Sequence, residues 1–234
     1  MKAQFRALLR AAVLAVLPDS DRFRSLAFRP KFESWCRQQK NQFPVFTNRE
    51  QLHQYVNDVV LERRPITYLE FGVFEGESIE RFSRLNTAAD SRFVGFDTFT
   101  GLPEDWVEFS RTVKASTFST AGRVPQISDS RVSFVKGLFQ DTLPSFLESY
   151  SGPEQWVIHN DSDLYSATLF VLTCGHAYMR PGTIVIFDEF CSEMHEFRAF
   201  DDYCAAYRQN FEVIGVTEGY GKVALRLLSP AHAS

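Results

Sequence analysis

Carboxylates gather in the 234-residue chain at four places where an apolar run gives way to a turn. Glu70 ends ITYLEF and opens the stretch Glu70-Phe-Gly-Val-Phe-Glu-Gly-Glu-Ser78. Asp97 ends RFVGFD. His159-Asn160-Asp161-Ser162-Asp163-Leu164-Tyr165 closes and follows QWVIHN, and Asp188-Glu189 closes and follows TIVIFD. In the first stretch Gly72 and Gly76 let the backbone turn tightly and approach a ligand that a Cβ atom would push away. The spacing is GxxxG behind an acid, not the dinucleotide GxGxxG. A carboxylate here repels a pyrophosphate but can receive the ammonium of a methionine moiety, with Ser78 opening the helix that follows. An ordinary strand-to-helix turn with two convenient glycines remains the alternative.

An acid in the position of Asp97 can accept hydrogen bonds from ribose hydroxyls, or it can serve as a turn or helix-cap aspartate. Asp161, Asp163, Asp188 and Glu189 are expected to converge, because neighbouring strands of a parallel sheet deliver their carboxyl ends into one crevice. Like charges so placed raise one another's pKa or require a cation, and an all-oxygen set suits Mg²⁺, Mn²⁺ or Ca²⁺. Either His159 or His195 could act as a general base or a ligand. His53 and His176 lie in helical stretches and read as structural.

The elements that must position these residues are legible from periodicity. ITYLEF (66–71), RFVGFD (92–97), RVSFV (131–135), QWVIHN (155–160) and TIVIFD (183–188) are short apolar runs separated by helix-length segments, the pattern of βαβ crossovers in a mostly parallel sheet. FEVIGVT (211–217) and KVALRLL (222–228), joined by EGYG, read as a closing antiparallel hairpin. The fold expected is α/β, a Rossmann-like doubly wound sheet over residues 65–234 preceded by a helical extension over 1–64. In that extension Leu52, Tyr55, Val56, Val59 and Val60 recur at helical spacing behind a Thr47-Asn48 cap. Such a stripe must cover the active-site mouth or pair subunits, so a homo-oligomer is allowed. The stretch 98–130 is long for a βα connection and could fold over a ligand as a lid.

Composition narrows the class. With 44% hydrophobic residues and 23 Phe, 8 Tyr and 3 Trp the chain can bury a core. A net charge of −4 argues against a nucleic-acid partner. Cys36, Cys174, Cys191 and Cys204 have neither CxxC nor metal-finger spacing, which fits reduced thiols in a cytoplasmic protein. Lys2, Arg6 and Arg10 precede an apolar run, Ala11 to Leu17, that is far short of the roughly 20 residues a membrane span needs. It is followed by no small-x-small cleavage site and reads as an amphipathic helix packed on the protein, or on a membrane surface, rather than as a leader.

Taken in order, YLEFGVFEGESI, VGFDTFTGLPEDW, GLFQDTLP (137–144), DSDLY and IVIFDEF resemble the macrocin O-methyltransferase family over about residues 66–190. The resemblance implies methylation by S-adenosylmethionine of hydroxyls on sugars of natural products. It implies Mg²⁺ (or Mn²⁺) held by Asp161, Asp188 and Glu189, with Asp163 as general base. The sequence departs from the family pattern at Glu189, where an aspartate is usual, and at Asn160, where an apolar residue is common. In-line transfer to a weakly nucleophilic hydroxyl needs alignment, proton removal and charge stabilisation, which this set can supply. A catechol or phenol acceptor would use the same logic. A noncatalytic binding subunit would have little reason to keep mutually repelling carboxylates, and a nicotinamide oxidoreductase is disfavoured by Glu70 and the missing GxGxxG.

Overall fold

The computed structural model describes residues 4–6, 20–39 and 42–229. The apolar run Ala11 to Leu17 lies outside the described residues. All seven expected runs become strands of one eight-stranded sheet: β2 (Thr67–Phe71), β3 (Arg92–Asp97), β6 (Val132–Lys136), β7 (Trp156–Asn160), β8 (Ile184–Phe187), β9 (Phe211–Thr217) and β10 (Val223–Leu227). The order is β1-β9-β10-β8-β7-β2-β3-β6. Only β10 runs antiparallel to its neighbours, inserted between β8 and β9 by the turn that the EGYG segment makes. The chain builds outward from β2 to β3 and β6, then returns to place β7 on the other side of β2. The β2/β7 boundary is therefore the topological switch point, where open α/β sheets place their ligands.

Two apolar layers cover the sheet because both faces of its central strands are hydrophobic. Leu69 and Phe71 of β2 pack with helices α1 (Asp21–Gln38), α4 (Phe139–Ser149), α5 (Tyr165–Gly175) and α6 (Glu196–Tyr207), through residues such as Phe32, Leu143, Val171 and Phe197. Tyr68, on the opposite face, packs with α2 (Arg49–Tyr55) and α3 (Glu77–Leu85) through Leu52, Val56, Ile79 and Phe82. No described helix is long and apolar enough to cross a membrane.

Strand pairing and helix packing cross the expected break at residue 65. Val45–Phe46 forms β1, paired parallel to β9 at the sheet edge. Helix α1 docks on α6 by aromatic packing, with Trp35 5.9 Å and Phe32 5.2 Å from Phe197 between ring centroids. Arg29 adds an ion pair to Glu193 at 2.9 Å. The described residues of the extension from 20 onward thus pack on the sheet and α6. Asn48 caps α2 by accepting the Gln51 N–H at 3.0 Å, as the sequence suggests. The apolar stripe then loses phase: residues 56–60 form a π turn, with Leu61 N–H bonded to the Val56 carbonyl, so Asn57 is buried and Val59 is exposed.

Within the long 98–130 connection a short hairpin, β4 (Trp106–Val107) with β5 (Thr112–Val113), stands apart from the main sheet. Trp106 roots it in the body, packed with Leu164 and Ala167.

Candidate active site

A cavity of about 340 Å³ opens at the carboxyl ends of β2, β3, β7 and β8, a size usual for small-molecule sites. Gly72, Phe74, Asp97 and Leu138 line it, as do Asp163, Asp188, Glu189 and Arg111, the last three close enough to act on the Asp163 carboxyl. Gly72 sits where β2 meets β7. With φ +92° it adopts a backbone that favours glycine, and a Cβ here would lie 1.9 Å from the Asp161 carbonyl oxygen. The turn after β2 and the acidic turn after β7 can touch only because that side chain is absent.

Asp97 spends most of its carboxylate on the protein. Oδ2 accepts the N–H groups of Val73 (2.7 Å) and Phe74 (2.9 Å), and Oδ1 accepts that of Phe99 (2.7 Å). Of about four lone-pair sites one remains for a ligand. Gly76 (φ +83°) turns the chain into α3, and Ser78 is buried in the first turn of that helix. Neither lines the cavity.

Glu70 is placed differently from the expectation. It is not in the cavity wall. Strand alternation puts it on the face shared with Tyr68, opposite His159 in the register of β2 and β7. There it accepts the Tyr68 hydroxyl at 2.8 Å and faces His159 Nδ1 at 3.1 Å, fully buried. Its carboxylate supports the floor of the site through Tyr68 and His159.

The acidic residues do converge, and Lys222, Arg49 and Arg111 stand against them. Lys222 Nζ lies 3.0 Å from Asp188 Oδ2 and 3.8 Å from Glu189. Arg49 lies 3.5 Å from Asp188 and 3.7 Å from Asp161. Burial pushes Asp188 up, but His159, Lys222 and Arg49 outweigh it and hold the carboxyl below the usual range. Burial, with Asp188 beside it, raises Asp161 well above that range. Burial and the neighbouring Glu189 and Asp188 push Asp163 up to about 7. Glu189 is raised by burial and Asp188 against the pull of Lys222. His159 would be lowered by burial, yet Asp188 and Glu70 raise it to about 10.

These positions test the expected cation set. Ligand atoms of His159, Asp161 and Asp188 all lie within 4.8 Å of one another, and Glu189 is outside that cluster. His159 Nε2 is buried without a hydrogen-bond partner, 3.7 Å from Asp188 Oδ1. Two ligands each about 2.1 Å from a four-coordinate ion stand about 3.4 Å apart, so the three groups could hold a divalent cation, whose binding would displace the proton from His159 Nε2. The Glu189 carboxylate instead faces Lys222 at 3.8 Å. His195, the other candidate base, does not line the cavity, and both of its nitrogens are occupied by protein partners.

The sequence reading missed Arg49, Lys222 and Arg111. Lys222 was accessible in principle: the hairpin register sets Val223 against Phe187, which brings the preceding lysine to Asp188. Arg49 arrives only because β1 pins the start of α2 to the sheet edge. Asn160 is likewise explained. It donates to Thr168 Oγ1 (2.9 Å) and Glu196 Oε1 (3.0 Å), and Glu196 in turn accepts the Glu189 N–H at 2.9 Å. This buried network braces both acidic turns.

Residues 47–217 match the macrocin-O-methyltransferase (TylF) family. The chain belongs to this family. It is an S-adenosylmethionine-dependent O-methyltransferase with the Rossmann-like methyltransferase fold. Among solved structures, the O-methyltransferase NovP superposes with a TM-score of 0.58 at 24% identity, over 77% of this chain and 79% of NovP. The calicheamicin methyltransferase CalS11 gives 0.57 at 22%, over 91% and 95%. TomG of Streptomyces achromogenes, solved with S-adenosylmethionine, gives 0.53 at 18%, over 92% of each chain. No curated protein matches the chain by sequence.

Proposed function

We propose that this methyltransferase acts on a sugar hydroxyl. The donor lies along Gly72, Asp97 and Leu138, and the acceptor hydroxyl sits beside Asp163 and Glu189. The observation that carries this reading is that both sets of residues line one cavity at the switch point of the sheet. CalS11 is described as a TDP-rhamnose 3'-O-methyltransferase, which favours a sugar, free or nucleotide-linked, over a catechol.

Each residue then has a defined task. Gly72 leaves the donor room beside the backbone. Asp97 fixes the turn at Val73 and Phe74 and keeps one lone pair for the ribose. Asp163 takes the proton from the hydroxyl: a carboxyl near 7 is substantially ionised at neutral pH yet basic enough to accept it. Glu189 accepts from a neighbouring hydroxyl of the same sugar. Lys222 holds Asp188 Oδ2, which leaves Oδ1 directed toward His159. Glu70 and Tyr68 orient His159 from behind, as carboxylates and hydroxyls orient ligand histidines. A divalent cation at His159, Asp161 and Asp188 would supply electrostatic stabilisation of the acceptor oxygen. An imidazole ligand among carboxylates suits Mn²⁺ or Fe²⁺ better than Mg²⁺.

The test is transfer of labelled methyl from S-adenosylmethionine to nucleotide deoxysugars and, in parallel, to catechols, by wild type and Asp163→Asn. Sugar methylation that falls at least about 100-fold in the variant, with S-adenosylhomocysteine affinity retained, supports the assignment. Undiminished transfer by the variant removes Asp163 as the base.

A further inference from the structure

His195 lies immediately before α6, and both its ring nitrogens are engaged. Nδ1 accepts the Tyr165 backbone N–H at 3.3 Å, and Nε2 is 2.9 Å from the Val107 carbonyl. An amide N–H only donates and a carbonyl only accepts, so the ring is neutral with its proton on Nε2. The two partners belong to different parts of the molecule. Tyr165 begins α5, two residues after Asp163, whereas Val107 belongs to the β4–β5 hairpin.

The hairpin is held to the body at a few points. Trp106 is 3% exposed, packs on Leu164 and Ala167, and donates its indole N–H to Ser192 Oγ at 3.3 Å. Glu104 accepts the Ser166 hydroxyl at 2.6 Å. The ion pairs of Arg111 with Glu108 and of Lys114 with Asp105 are internal to the loop. Arg111 also stacks 4.3 Å over the Trp106 ring and lines the cavity beside Asp163 and Glu189.

We propose that the β4–β5 hairpin is a cavity wall that closes over the acceptor, and that His195 is the positioning residue that latches it to the turn carrying Asp163. The latch is read from the fold alone; its service to methyl transfer rests on the function proposed above. Closure sets the Arg111 guanidinium beside the acidic residues of the cavity and shuts them off from water, which strengthens the electrostatics inside. The device is pH-sensitive by construction. A second ring proton would sit on Nδ1 facing the Tyr165 N–H, donor against donor, so the latch holds with neutral imidazole and fails with imidazolium. Burial lowers the His195 pKa, while the Val107 carbonyl and the carboxylates of Glu108, Glu104 and Asp21 pull the other way. Tyr165, whose backbone N–H it accepts, and Glu196, the next residue in the chain, are further ionisable groups beside it. The net lowering means closure is fully favoured above the ordinary histidine range and is lost as pH falls through the lowered value.

The experiment uses the full chain without donor or acceptor, with ¹⁵N in the indole rings. There are 3 tryptophans, and Trp106→Phe identifies the Trp106 signal. His195→Gln keeps a donor at the Nε2 position and has no titration near neutrality; His195→Asn keeps an acceptor at the Nδ1 position and loses the donor to Val107. The Trp106 signal of the wild type should move as pH falls from about 7.5 to about 5, and that of His195→Gln should hold still. In His195→Asn it should start in the open position, with indole N–H exchange roughly two- to tenfold faster, the scale of one lost hydrogen bond. Unchanged Trp35 and Trp156 signals certify the fold in each case. A Trp106 signal identical in wild type and His195→Asn, or a titration that persists in His195→Gln, overturns the latch, and neither result depends on what the enzyme methylates.

Discussion

Replacing Gly72 by alanine probes the contact on which the site is built. The added Cβ would meet the Asp161 carbonyl oxygen at 1.9 Å, its carbon at 2.7 Å and Ser162 N at 3.3 Å. All three are backbone atoms and cannot swing aside, so the acidic turn must retreat by roughly 1.5 Å to restore ordinary contact. The left-handed backbone costs an L-residue about 1–2 kcal/mol. Overpacking against a fixed neighbour adds about 1–3 kcal/mol. A total near 3 kcal/mol corresponds to a fall in Tm of about 6–12 °C for a chain of this length. Gly182→Ala is the matched control, because Gly182 has φ +98° with nothing within 4 Å of its Cβ, so only the backbone cost applies. Thermal denaturation of both variants, followed by circular dichroism, separates the two contributions. The same retreat displaces Asp161 and Asp163, and a misplacement of about 1 Å is enough to cost roughly 100-fold in turnover. If Gly72→Ala melts no lower than Gly182→Ala, the close approach of the two turns is wrong.

Further outcomes follow from the same geometry. Asp163→Asn should stabilise the enzyme above neutral pH while abolishing transfer: its folded pKa is raised to about 7, so the ionised form weakens the fold increasingly as pH rises from the unfolded value to the folded one. Denaturant melts at about pH 8 should give a gain on the order of 2–4 kcal/mol that disappears near pH 4. Asn160→Leu, toward the residue common in the family, should cost about 2–4 kcal/mol in the same assay, because Glu196 and Thr168 lose a buried donor. Added Mn²⁺ should raise the Tm of the wild type, and His159→Gln should reduce that shift more than Glu189→Gln does, since only the histidine belongs to the cluster.

Much of this architecture was open to reading because it is periodic. β2, β3, β6, β7 and β8 are runs long enough to show an apolar signature, and glycines and acids at their ends mark the switch point. β1, β4 and β5 have two residues each, too few to carry a period, and the π turn at Val56–Val60 breaks the helical phase that made Val59 look buried. The carboxylates at Asp161, Asp163, Asp188 and Glu189 could be placed together from topology. Their compensation could not, because Arg49 and Lys222 come from segments far away in sequence and meet Asp188 only through strand pairing. Glu70 shows what a strand end alone does not tell: alternation along YLEF sets it on the face of Tyr68, where it meets His159.

The proposed function requires one cavity to serve donor and acceptor together. Its most direct test is mass spectrometry of a nucleotide deoxysugar and a catechol, each incubated with the enzyme, S-adenosylmethionine and Mn²⁺. The expected result is one added methyl group on a sugar hydroxyl, none on the catechol, and loss of that product in Asp163→Asn. Methylation of the catechol while every sugar is left untouched would contradict it.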